Sequence, residues 1–61
     1  MRHLQDIRNL AALVEAEAQG QQVDAAIAIQ LATGLASALP NIANSMNLIC
    51  ERMRIYQGQR R

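Results

Sequence analysis

The sequence has few of the residues that usually stabilise small proteins through disulfides, metal sites or aromatic packing. It contains one cysteine, Cys50, one histidine, His3, and one aromatic residue, Tyr56, in 61 residues. A single cysteine cannot form an intramolecular disulfide, and one cysteine with one histidine cannot complete a Cys/His zinc site. Chains of this size without disulfides or a bound metal ion commonly oligomerise. We therefore expect a homo-oligomer, either a dimer or a tetramer. The unpaired cysteine fits a reducing, cytoplasmic setting.

Groups of residues typical of catalytic, cofactor-binding or metal-binding sites are also missing. His3 has no second histidine, clustered carboxylate or glycine-rich loop near it in the sequence, which favours a surface histidine. Glu15 and Glu17 are two residues apart and therefore lie on different faces of a helix, so they do not form a paired-carboxylate acid/base site. We expect no enzymatic activity, no cofactor and no metal ion.

The charge of the chain is low but unevenly distributed. The net charge of +1 gives no strong attraction to nucleic acids or anionic lipids. Residues 1–24 hold two arginines and four acidic residues, whereas residues 51–61 hold four arginines and one glutamate. Those four arginines are a possible nucleic-acid contact, although they would also suit a helix C-terminus or an acidic neighbouring helix. They are Arg52, Arg54, Arg60 and Arg61.

A membrane-bound or exported protein is a weaker interpretation. Arg2 is followed by polar and charged residues and not by the apolar run of a secretory signal peptide. The stretch from Ala25 through Cys50 is uncharged and long enough to cross a bilayer, but it contains many alanines and polar residues. We therefore expect a cytoplasmic protein. A membrane-active helical peptide ranks third among the possible functions, below a protein–protein interaction module and a nucleic-acid-binding bundle.

One apolar pattern organises the chain from Asp24 to Gln57. Ten apolar residues, here called the apolar seam, recur at alternating steps of three and four, which predicts one face of an α-helix. The apolar seam consists of Ala25, Ala28, Ala32, Leu35, Leu39, Ile42, Met46, Ile49, Met53 and Tyr56. The positions opposite it are polar or glycine, namely Gln30, Ser37, Asn44, Glu51 and Gly58.

The pattern predicts a single small all-α domain over residues 1–61. Its predicted elements are a first helix over about 3–18, a turn over 19–23, a second helix over about 24–57 and a polar tail over 58–61. Gly20 is expected to end the first helix and Asp24 to cap the second. The first helix carries its own apolar stripe, made of Leu4, Ile7, Ala11, Val14 and Ala18 and widened by Leu10.

Pro40 leaves two architectures open. In the favoured one the second helix continues with a kink, because the apolar seam stays in phase and no glycine or capping residue directly precedes the proline. The fold is then a helical hairpin with a long, Pro-kinked second helix that assembles into a homo-oligomeric helical bundle. In the alternative the chain turns around residues 38–40 and a third helix folds back, which gives a compact three-helix bundle.

The favoured architecture predicts an interface. At 1.5 Å per residue the first helix is about 24 Å long and the second about 50 Å, so the C-terminal half of the second helix is left bare. That half is flanked by Leu48 and Ile55, and the resulting apolar surface needs a second copy or a partner protein to cover it. The predicted interface residues are Leu35, Leu39, Ile42, Met46, Ile49, Met53 and Tyr56. Cys50, beside the seam, is expected to be a small buried hydrophobe, with an interchain thiol pair as the alternative.

These observations favour a small non-enzymatic protein–protein interaction module, such as a regulator, an inhibitor or a chaperone-like adaptor acting through a helical surface. The alternative is a nucleic-acid-binding helical bundle that uses the arginine-rich C-terminal end.

Overall fold

The computed structural model describes residues 2–59, which form three α-helices and one short 3₁₀ helix and contain no β-strand. Helix α1 spans Arg2–Ala18, α2 spans Ala25–Ala38 and α3 spans Ala43–Gln59, and the 3₁₀ helix η1 spans Pro40–Ile42. Helix α2 packs against both α1 and α3. The all-α class predicted from the sequence is confirmed for this part of the chain.

Gly20 ends α1, as predicted. It has a φ of +84°, in the left-handed region that glycine enters without a steric penalty. Its N–H donates to the carbonyl of Glu17 at 3.0 Å, and the N–H of Gln21 donates to the carbonyl of Ala16 at 2.9 Å. These two bonds form a Schellman cap, which satisfies carbonyl groups that the end of the helix leaves without partners.

Asp24 caps α2, also as predicted. Its backbone is extended, with φ −83° and ψ 98°, and its carboxylate accepts a hydrogen bond from the N–H of Ala26 at 3.1 Å. A carboxylate at this position satisfies one orphan donor and lies at the positive end of the helix dipole. The start of α2 therefore follows from local sequence.

The expected continuous helix through Pro40 is wrong. Helix α2 ends at Ala38, Leu39 has non-helical φ −128° and ψ 81°, and Pro40 is the first residue of η1. Helix α3 then folds back along α2, so the Cα positions extend over 33 × 18 × 15 Å, shorter than the predicted helix of about 50 Å.

Proline itself explains the turn. The ring of Pro40 disfavours the α conformation for Leu39, the residue before it. At the first position of the next helix the missing proline N–H is not needed, so no separate capping residue is required. The N–H of Leu39 closes α2 by donating to the carbonyl of Leu35 at 2.8 Å. Folding back also covers the seam within one chain, which avoids the entropy cost of association.

The apolar seam forms most of the core. Among the described residues, those that are buried are Leu10, Val23, Ala25, Ala28, Ala32, Leu35, Met46, Cys50 and Met53. Six of these belong to the seam, and its other four residues, Leu39, Ile42, Ile49 and Tyr56, are half-buried and pack against the core. The five positions opposite the seam are all exposed. The seam was therefore predicted correctly as a buried face. Its C-terminal half was expected to be covered by a second copy or a partner protein, whereas the two halves of the seam bury each other.

Candidate functional site

An open groove of about 520 Å³ lies between α1 and α3. Val14 contributes the wall from α1. The wall from α3 is formed by Leu48, Ile49, Glu51, Arg52 and Ile55. Both helices pack against α2. The groove is the space that remains between α1 and α3 on one side of the bundle.

Leu48 and Ile55 are the most exposed large aliphatic residues of the described chain, at 65% and 61% exposure. They are seven residues apart, which places them on the same face of α3 about two turns, or 10 Å, from each other. A single exposed leucine is ordinary. Two such residues on one face beside a groove form a patch of the kind that marks interaction surfaces.

The apolar stripe of α1 is turned only partly toward the core. Leu10, which widens the predicted stripe, is the described residue of α1 that is fully buried. Within the stripe, Leu4, Ala11 and Ala18 are exposed, while Ile7 and Val14 are half-buried. Since Val14 lines the groove, the helical spacing places the rest of the stripe on the same side of α1. The stripe is therefore incompletely covered, and Val14 is the α1 residue that lines the groove.

An ion pair joins the two walls of the groove. Arg52 donates from Nε to Oε1 of Glu17 at 2.7 Å, with the arginine side chain 54% exposed and the glutamate side chain 17% exposed. At this exposure the pair contributes about 1 kcal/mol or less to stability. The acidic first helix thus complements a basic residue of α3 within the chain, in agreement with the suggestion that the arginines suit an acidic neighbouring helix.

The predicted nucleic-acid residues do not gather into one cluster in the described part of the chain. Arg52 is engaged with Glu17, and Arg54, two residues further along α3, is exposed on a different face of the helix. Arg60 and Arg61 lie outside the described residues.

The predicted interface residues lie largely inside the chain's own core. Leu35, Met46 and Met53 are at most 9% exposed. The other four, Leu39, Ile42, Ile49 and Tyr56, are half-buried, and of these Ile49 also lines the groove. The reason for expecting an interface at these seven residues, an uncovered C-terminal half of a long helix, is wrong because α3 is covered by α2.

The sequence did not predict the specific partners of two α3 side chains, Tyr56 and Cys50. The hydroxyl of Tyr56 accepts a hydrogen bond from the N–H of Val23 at 3.2 Å, which ties the end of α3 to the turn before α2. Cys50 is a free, buried thiol whose Sγ lies 3.5 Å from Oγ1 of Thr33 and 3.8 Å from the carbonyl oxygen of Ile29. The position of Cys50 agrees with its interpretation as a small buried residue. Both contacts depend on the fold-back of α3, which the sequence left open.

A second, smaller groove of about 270 Å³ lies between α1 and α2. His3, which is half-buried, and Asp6 line its α1 side. The α2 side is lined by Ile27, Gln30, Leu31, Gly34 and Leu35. Within residues 2–59, no group of three or more His, Cys, Asp or Glu side chains could hold a metal ion.

Comparison of the chain with protein-family models, with curated proteins and with solved structures gave no match. In the described part of the chain, no helix combines the length and the apolar character needed to cross a membrane. Since no similar protein suggests a function, the groove between α1 and α3 is the structural feature on which a proposal is based. Its sequence signal was the presence of Leu48 and Ile55 beside the apolar seam but outside it.

Proposed function

We propose that this protein is a small non-enzymatic protein–protein interaction module that binds an amphipathic helix of a partner protein in the groove between α1 and α3. One observation carries the proposal: Leu48 and Ile55 are more than half exposed on one face of α3 and border that groove. Burying a large aliphatic side chain is worth about 1.5–3 kcal/mol. Leaving two of them in water beside a groove is most readily explained if a partner covers them.

The shape of the groove favours a helix as the ligand. Helices α1 and α3 both rest on α2, so a further helix laid between them would complete a four-helix arrangement with ordinary packing distances of about 8–10 Å. Such a ligand would place apolar residues at i, i+3 or i+4, and i+7 to match the two-turn separation of Leu48 and Ile55. The polar groups beside them, Glu51 and Arg52, carry opposite charges and would set the orientation of the ligand.

Selection from a displayed library of amphipathic helical peptides tests the proposal. Peptides that bind the wild-type chain are expected to lose about 100-fold in affinity or more for the double variant Leu48→Ser/Ile55→Ser, because two central apolar anchors are removed. The variant should keep its helix content, since both positions are exposed.

Ile27→Ser is the matched control. Ile27 is 49% exposed but lines the second groove, so its substitution should leave binding within about twofold of wild type. The proposal fails if no peptide is enriched, or if binding survives the double variant and is lost in the control. If the double variant instead abolishes self-association of the free protein, the occupant of the groove is a second copy and not a foreign helix.

Nucleic-acid binding through the C-terminal arginines stays an alternative. It predicts affinity for a mixed pool of RNA and DNA that falls steeply with salt and disappears when Arg52, Arg54, Arg60 and Arg61 are changed to glutamine. Binding of that kind at physiological salt would displace the interaction-module proposal.

A further inference from the structure

The apolar seam runs in unbroken phase through the turn between α2 and α3. Its steps alternate between three and four from Ala25 to Tyr56, and the pattern includes Leu39 and Ile42, which lie in the turn itself. A turn lets each helix rotate independently, so nothing in a helix–turn–helix requires the two helices to share one register. A repeat of seven residues sustained over this length is typical of one continuous helix that packs against another.

The turn is a hinge of one residue. Leu39, with φ −128° and ψ 81°, separates α2 from η1, and η1 passes directly into α3 through Ala43, whose φ of −58° and ψ of −41° are helical. A change of about 120° in the ψ of Leu39, with a smaller change in φ, would bring that residue to helical values. Pro40 already has a φ fixed near the helical value. Opening the chain at this point therefore needs a large rotation at Leu39.

The contacts that α3 makes with α2 and with the turn before it can be made equally well between two chains. One contact joins Thr33 to Cys50, 17 positions away in the sequence. Another joins Val23 to Tyr56, 33 positions away. If α3 swings away from its own α2, the α3 of a second copy can occupy the same place and restore each contact. Exchange of an identical element between two copies is a low-cost route to a dimer.

We infer that two copies of this chain exchange α3 about Leu39, so that α2 and α3 of each chain join into one helix and α2 of each copy packs against α3 of the other. Pro40 opposes the exchange, because in a continuous helix its ring clashes with the preceding turn and it cannot donate a backbone hydrogen bond. The closed chain is therefore the form at low concentration, and the exchanged dimer is populated when the protein is refolded at high concentration.

A cross-link between positions 33 and 50 distinguishes the two forms. Thr33 is exposed and its Oγ1 lies 3.5 Å from Sγ of Cys50, so the variant Thr33→Cys places two thiols side by side without altering the core. In the closed chain oxidation links them within one molecule. In the exchanged dimer it links two molecules, which then run at twice the chain mass on a denaturing, non-reducing gel.

The variant is refolded at low and at high concentration, oxidised, and compared with Thr33→Ser, which has no second thiol. We expect the covalently linked dimer to increase with refolding concentration in Thr33→Cys and to be absent from Thr33→Ser. The inference is overturned if light scattering detects no dimer at any concentration. It is equally overturned if a dimer forms while the cross-links stay within one chain, because that dimer uses another surface.

Changes at the hinge provide a second test that does not use cysteine. Pro40→Ala removes both obstacles to a continuous helix, so the association constant of the dimer should rise by at least about tenfold. A flexible three-residue insertion between Leu39 and Pro40 should lower it, since a longer loop closes more easily on its own α2. The same insertion between Gly20 and Gln21 is the control and should leave dimerisation unchanged. An unchanged or lower association constant in Pro40→Ala would overturn the inference.

Discussion

Truncation of Met53 tests whether the core lies within one chain. The Met53 side chain is fully buried in α3, at 0% exposure. Shortening a buried methionine to alanine removes its transfer free energy and leaves a cavity, at a cost of about 2–5 kcal/mol. The free energy of unfolding expected for a chain of this length is about 3–9 kcal/mol. Met53→Ala should therefore remove a large part of the stability and can unfold the protein at 37 °C.

Urea denaturation followed by far-ultraviolet circular dichroism measures this effect. With a slope of about 1 kcal/mol per molar urea for a protein this small, a loss of about 2 kcal/mol lowers the midpoint by about 2 M. The measurement is made at two low protein concentrations that differ severalfold. Because the core is formed by α2 and α3 of one chain, the midpoint should not depend on concentration.

Ile55→Ala is the matched control for the same helix. Ile55 is 61% exposed, so its truncation should change the free energy of unfolding by about 0.5 kcal/mol or less. Equal losses in Met53→Ala and Ile55→Ala would refute the assignment of Met53 to the core. A midpoint that rises with protein concentration in this low range would show that the seam is buried between chains.

Three further predictions concern the hydrogen bond of Tyr56 and two of the glycines. Tyr56→Phe leaves the N–H of Val23 without its acceptor and should cost about 1 kcal/mol, with faster amide exchange at Val23 as the local readout. Gly20→Ala should destabilise by about 1–2 kcal/mol, because alanine is strained at a φ of +84°. Gly34→Ala should stabilise by about 0.5–1 kcal/mol, since Gly34 lies inside α2 with open space around the added Cβ. Thermal melts of the two alanine variants should shift in opposite directions, and shifts of the same sign would contradict the assigned conformations.

Features that depend on a few neighbouring residues could be predicted from the sequence. The left-handed cap at Gly20 and the carboxylate cap at Asp24 are local, and the structure contains both. The apolar seam is likewise a local periodicity, and its residues are buried or half-buried. In each case the signal lies within a few helical turns of the sequence, although the burial of the seam itself comes from packing between helices.

The fold-back at Pro40 could not be decided in the same way. A proline is compatible both with a kinked helix and with the first position of a new helix, and the unbroken phase of the seam favoured the kink. The choice is made by tertiary packing, because within one chain the two halves of the seam can join one core only when α3 reverses direction. The hydrogen bond of Tyr56 and the position of the groove depend on the same choice.

The orientation of α1 links the sequence to the proposed function. Its apolar stripe predicts a helix that buries one face, yet the residue that α1 buries completely is Leu10, at the edge of that stripe. Helix α1 packs against the core through Ile7, Leu10, Leu13, Val14 and Ala16 and leaves Leu4 and Ala11 exposed. The apolar stripe of α1 is therefore wider than the face that α1 buries in its own fold. Val14 of the same stripe lines the groove bordered by Leu48 and Ile55, so the uncovered part of the stripe adds support to the proposal that a helix of a partner protein binds there.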